Sequence, residues 1–195
     1  DWAEAFVNTP LQEGFKVATP EDGFAEVEFE NASTARLGQQ TLLEFSQLVL
    51  KPSGGKINRL RLHQGYATFN FIPENDDFYE VSAGDATLTP RGKTRFRLDM
   101  EEGILLVKVF KGAGEGVSPE GNGTIGENAM LELRYGAEQV FHIAQGFTRD
   151  AWDEWVEQRE GQTQLVRHRG GAPTVYSNDV TDLLYGWTDL GLYGD

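Results

Sequence analysis

The residues of this chain that could do chemistry are few and scattered. Its three histidines, His63, His142 and His168, stand far apart, none has a second ligand at metal-binding spacing, and cysteine is absent. A zinc centre draws three or four ligands onto one point, so no resident catalytic metal is expected. The glycine run at 112–116 lacks the lysine and threonine of a phosphate loop and leads into VSPEG instead of a helix. It reads as a hairpin loop. No G-x-S-x-G elbow exposes a serine nucleophile. Glu74, Asp76 and Asp77 offer the hard oxygens that calcium takes, but the D-x-D-x-D-G frame is missing and PENDD is a good turn by itself. Calcium is the one cofactor the sequence brings into view, and the expectation is that there is none. Asn31-Ala-Ser and Asn122-Gly-Thr match the glycosylation sequon, at a frequency close to chance. No reaction emerges, and the chain reads as non-enzymatic.

Strands position these residues. In RGKTRFRLDMEEGILLVKVFKG (91–112), Phe96, Leu98 and Met100 alternate with Arg95, Arg97 and Asp99. After an acidic turn, Leu105, Val107 and Val109 alternate with Leu106, Lys108 and Phe110. A period of two with one apolar side is a half-buried hairpin. Arg91, Lys93, Arg95 and Arg97 then form a basic ladder on the solvent face, paired with carboxylates of neighbouring strands. FAEVEF sets Ala25, Val27 and Phe29 against Glu26 and Glu28, and INRLRLHQGYATFNFI breaks at Gly65. KPSGGK and PENDD supply turns. The expected fold is all-β: two stacked antiparallel sheets, in a sandwich or β-solenoid-like arrangement, with one short C-terminal helix.

A chain of 195 residues can bury a substantial core, and 39% hydrophobic with 25% charged content is that of a globular protein. A net charge of −14 repels phosphate, which makes nucleic acid and anionic membranes poor partners. No apolar run approaches the roughly 20 residues of a bilayer span. The sequence starts at Asp1 without methionine and stops at GLYGD, which leaves room for a signal peptide, a membrane anchor or further domains outside it.

The texture changes after about residue 147. TRDAWDEWVEQRE places Trp152, Trp155, Val156 and Arg159 on one helical face, with Asp150 as N-cap and Gly161 as the stop. Three parts are expected: a β domain over 1–147, a short helix packed on it over 148–161, and an extended aromatic and glycine-rich tail over 162–195. The tail carries Leu183, Leu184, Tyr185, Trp187, Leu190, Leu192 and Tyr193, too much apolar surface to leave in water without a purpose. Such a segment can satisfy its backbone along an open sheet edge, of its own domain or of another copy. The candidate interaction residues are therefore Trp152, Trp155, Leu184, Tyr185, Trp187, Leu192 and Tyr193.

Taken in order, GFAEVEFENASTARLGQQTLLEF, LRLHQGYATFNF, FYEVSAGDATLTPRGKTRFRLD and VKVFKG resemble the FecR-type domain over about residues 14–117. RDAWDEWVEQRE is similar to the D-x-W-D-x-W-x-x-x-R helix of a bacterial FecR-like subfamily of unknown function, commonly followed by a YG-rich tail such as LLYGWTDLGLYGD. Two details depart from the family pattern. The turn Glu30-Asn31-Ala32-Ser33 lacks the usual glycine, and Lys93 intrudes between Gly92 and Thr94. The resemblance implies an extracytoplasmic β domain used for protein contacts. The best-understood relatives signal from an outer-membrane receptor to a sigma factor, using a cytoplasmic helical segment and a transmembrane helix that this sequence does not contain. It carries over no catalytic or ligand residues.

Together these readings give an exported bacterial protein-binding module, periplasmic or at the cell surface, acting as an envelope sensor or scaffold. Its partners would be other proteins or copies of itself. The alternatives are a self-assembling surface or filament subunit, and a carbohydrate-binding or hydrolytic protein with paired carboxylates beside Trp152 or Trp187.

Overall fold

The computed structural model describes residues 2–74, 76–135, 139–168 and 189–193. They fall into two compact units, one of the described residues up to 147 together with 189–193 and one of residues 148–168.

The first unit is all β. One sheet runs, in spatial order, through β1 (Thr9–Pro10), β15 (Asp189–Tyr193), β3 (Phe24–Glu28), β4 (Thr34–Leu37), the second half of β6 (Lys56–Phe71), β9 (Thr94–Glu101), β10 (Ile104–Lys111), β13 (Ala129–Arg134) and β14 (Val140–Gln145). The other runs through β2 (Lys16–Ala18), β5 (Leu42–Leu50), the first half of β6, β7 (Phe78–Ala83), β8 (Ala86–Pro90), β11 (Gly114–Ser118) and β12 (Gly121–Ile125).

Strand β6 belongs to both sheets, and Gly65 is where it changes allegiance. Up to Gln64 it pairs with β5; from Gly65 onward it pairs with β9, and from Ala67 with β4. Gly65 holds φ +81°, and a Cβ there would lie 2.7 Å from the Thr41 Cα and 2.8 Å from the Gln40 carbonyl. Only glycine fits that corner.

The same corner explains the one departure from antiparallel pairing among the described strands. β6 and β7 pair in parallel, Ile57 with Phe78 through Leu62 with Ala83. Parallel neighbours normally need a long crossover. Here the second half of β6 is itself the crossover, so residues 72–77 suffice to bring the chain back as a solenoid-like coil.

One core lies between the sheets. Phe71 is fully buried and meets four other rings, those of Phe29 at 6.0 Å, Phe69 at 5.5 Å, Tyr79 at 4.4 Å and Phe96 at 5.7 Å between centroids. The opening hairpin takes the register its alternation requires, with Val109 opposite Phe96, Val107 opposite Leu98 and Leu105 opposite Met100. Its charged face differs from expectation. Arg95 and Arg97 are buried, because their charges are met locally. The Arg97 guanidinium is 2.7 Å from the Asp99 carboxylate and lies over the Tyr66 ring, and Arg95 lies over Phe110. On β4, Arg36 is wholly buried and its Nε donates to Glu26 at 2.6 Å. A buried guanidinium needs such a partner.

In the second unit the helix α1 spans Ala151–His168. Asp150 caps it reciprocally: the Asp153 amide donates to the Asp150 carboxylate at 3.0 Å, and the Asp150 amide to that of Asp153 at 3.2 Å. The helix continues past Gly161, which is exposed and helical. A glycine costs a helix interior only about 1 kcal/mol relative to alanine, too little to stop it.

Candidate interaction surface at the sheet edge

Strand β3 alternates for a physical reason: Ala25 and Val27 face the core and are fully buried, while Glu26 turns the other way to meet Arg36. One side of its backbone is satisfied by β4 through the tight turn at 29–33. That turn puts Ala32 at φ +65°. Asn31 holds it, accepting from the Ser33 amide at 3.1 Å and donating to the Ile72 carbonyl at 2.9 Å and the Tyr79 hydroxyl at 2.8 Å.

The other side of β3 is an edge, and an edge of unpaired amides and carbonyls attracts any strand that can reach it. In this chain β15 occupies it. Asp189 stands opposite Glu28, Leu190 opposite Val27, Gly191 opposite Glu26, Leu192 opposite Ala25 and Tyr193 opposite Phe24. Among the described residues, the far side of β15 pairs only with the two residues of β1, through Thr9–Leu190 and Pro10–Asp189. Pro10, with no amide hydrogen, blunts the outermost edge.

Two of the candidate interaction residues, Leu192 and Tyr193, therefore belong to the strand that closes this edge. Leu184, Tyr185 and Trp187 lie outside the described residues. Trp152 and Trp155 are on α1, their rings stacked with centroids 4.9 Å apart, and Trp152 is buried. The site residues that sequence reasoning missed are the acceptor strand itself, Phe24–Glu28, and an apolar arm before β1. Trp2, Phe6 and Val7 there are 67%, 68% and 65% exposed. Their signal was visible as large apolar residues with no period. Acceptor strands carry no such signal, since an edge is a property of pairing and not of composition.

The polar groups singled out for chemistry are engaged elsewhere. Asp77 accepts from the Lys56 amide at 2.8 Å and the Glu74 amide at 3.1 Å, and Asp76 accepts from the Ser53 hydroxyl at 2.6 Å. That hydroxyl, with Lys51 nearby, holds the Asp76 carboxyl below its ordinary range. These bonds lock the 51–56 and 72–77 turns together. Among the described residues no three His, Asp or Glu side chains converge as a metal site would require. His63 meets Glu44 at 2.5 Å, and that bond, helped by Lys16, lowers the Glu44 pKa against the effect of burial. His142 sits on β14 opposite Glu132, and His168 is the last residue of α1. A shallow depression of about 240 Å³ on β9, β10 and β13 is lined by Ile104, Leu106 and Met130 and by the acidic Asp99, Glu101 and Glu132. Burial pushes the Asp99 carboxyl above its usual range, although Arg97 and Lys108 pull it down.

Comparison with known proteins bears on this β unit. Two crystal structures of a candidate anti-sigma factor from Parabacteroides distasonis, at 1.65 and 2.50 Å, share its fold with TM-scores of 0.58 and 0.57. Identity is 14% in both cases, over 68% of this chain and 60% of that one, so this chain spans less than two thirds of the protein it resembles. No curated protein sequence matches the chain. The sequence profile described as FecR protein matches residues 15–113, just over half of the chain, from before β2 to the end of the 91–112 hairpin and including the whole of β3. This chain belongs to the FecR family.

Proposed function

We propose that the chain is a non-enzymatic, exported protein-binding module of the bacterial cell envelope, acting as a sensor or scaffold domain through its β3 edge. One observation carries this reading. Strand β3 lies inside the family-matched segment, whereas β15, which covers its edge, comes from beyond it. An edge that already seats five residues of extended chain is a strand-binding edge, and β-augmentation is a common way for β domains to hold partners.

Several features support the rest. FecR family membership favours a signalling role in the envelope. The charge of −14 disfavours nucleic acid and anionic lipid as partners and leaves proteins. Among the described residues no helix is long and apolar enough to cross a membrane. The reading needs no cofactor, and it assigns the Glu74, Asp76 and Asp77 cluster to turn structure and not to calcium.

The test has two arms in the host cell. Protease added outside the inner membrane should digest the protein in spheroplasts. A photo-crosslinking residue at position 24, at the end of the β3 edge, should give protein adducts. Cytoplasmic retention, or a folded protein that gives no protein adduct, would overturn the reading.

A further inference from the structure

The β3 edge has two possible sources of its covering strand, because every copy of the chain carries one. We infer that the edge accepts Asp189–Tyr193 from a second copy, so that two chains trade C-terminal strands and close as a reciprocal dimer. This inference rests on the strand-binding reading of the edge and names its partner.

Three observations point to exchange. First, the fit is already demonstrated: the register of β15 on β3, from Asp189–Glu28 to Tyr193–Phe24, is the same whichever copy supplies the strand. Exchange therefore loses none of the native ladder, which makes it a low-cost route to a dimer. Second, little of the described structure holds β15 in place. The strand itself is short, and among the described residues only β1 pairs with its outer side. Third, the same edge leaves apolar surface in water. Phe6 lies at the turn into β1, where the Thr9 amide donates to the Phe6 carbonyl at 3.0 Å, and Phe6, Val7 and Trp2 are all highly exposed. Exposed apolar residues beside a strand-exchange edge are what a second copy would cover.

Two forces oppose exchange. Effective concentration favours the chain's own strand when the protein is dilute. The net charge of −14 on each copy repels the other, but at physiological salt this is screened beyond about 8 Å. Exchange should therefore grow with both protein concentration and ionic strength.

The native chain has no cysteine, so an introduced pair reports only itself. Glu28→Cys and Asp189→Cys, partners across the ladder, are made separately, checked for native circular dichroism, mixed and oxidised. Exchange predicts a disulfide-linked heterodimer well above the level each variant gives alone, increasing several-fold from dilute, low-salt to concentrated, physiological-salt mixtures. Two further samples separate this inference from the reading beneath it. They are the double variant in one chain, and the Glu28→Cys chain with a synthetic 186–195 peptide carrying Asp189→Cys. Internal closure or a peptide adduct without any heterodimer overturns exchange and leaves the strand-binding edge standing, filled by the chain's own tail or by a foreign strand. No disulfide in any of the three overturns both.

Discussion

Replacing Gly65 by alanine strikes the point through which both sheets are joined. At φ +81° an L-residue in the left-handed region costs roughly 1–2 kcal/mol. The new methyl would also lie 2.7 Å from the Thr41 Cα and 2.8 Å from the Gln40 carbonyl, both backbone, so relief requires the 38–41 turn to move. Forcing a methyl into a packed site typically costs about 1–3 kcal/mol. Adding these gives about 2–5 kcal/mol, which at about 2–4 °C per kcal/mol for a chain of this size lowers Tm by about 4–20 °C. The control is Gly14→Ala, at φ +82° with nothing within 4 Å of its Cβ, which suffers only the first of the two costs. Thermal unfolding followed by circular dichroism should place Gly65→Ala clearly below Gly14→Ala. If the two melt together, the corner is not closely packed and the sheet-switching role given to Gly65 is wrong.

Other predictions follow from single sites. Ala32→Gly relieves an alanine held at φ +65° and should raise Tm by about 2–4 °C, the effect of about 1 kcal/mol, in the same melt. Phe71→Ala removes the ring that four others pack on and should destabilise by about 3–5 kcal/mol in urea titration without changing the strand signature. The Glu44 carboxyl is lowered in the folded state, chiefly by its bond to His63, so its stabilisation is present above the unfolded value of 4.5 and is lost as pH falls below it. His63→Ala should therefore flatten the fall in stability below about pH 4.5; an unchanged acid limb would show that the bond contributes nothing.

How much of this was legible in the sequence depends on what a local period can report. The 94–111 hairpin was readable because Phe96, Leu98, Val107 and Val109 all face one core, and a period of two records that side. The same period is silent about the opposite side. Arg95 and Arg97 read as solvated because they are charged, yet they are buried beside Asp99, Tyr66 and Phe110. The break at Gly65 was visible, but the parallel return of β7 along β6 was not, since pairing partners are set by tertiary geometry. Gly161 looked like a helix stop because glycine often is one; in α1 it takes the helical conformation and the helix goes on to His168. The tail's need for a sheet edge could be argued from Leu190, Leu192 and Tyr193. Which edge it takes could not, because nothing in FAEVE marks β3 as open on one side.

The central claim is that β3 presents a strand-binding edge and that the tail fills it. Hydrogen exchange read by mass spectrometry over Phe24–Glu28 tests this most directly, comparing the native chain with Leu192→Pro, which removes an amide and breaks the β15 ladder. The account predicts that exchange over 24–28 speeds up in the variant while β9 and β10 stay protected. Equal protection of 24–28 in both proteins would mean that the tail does not cover this edge.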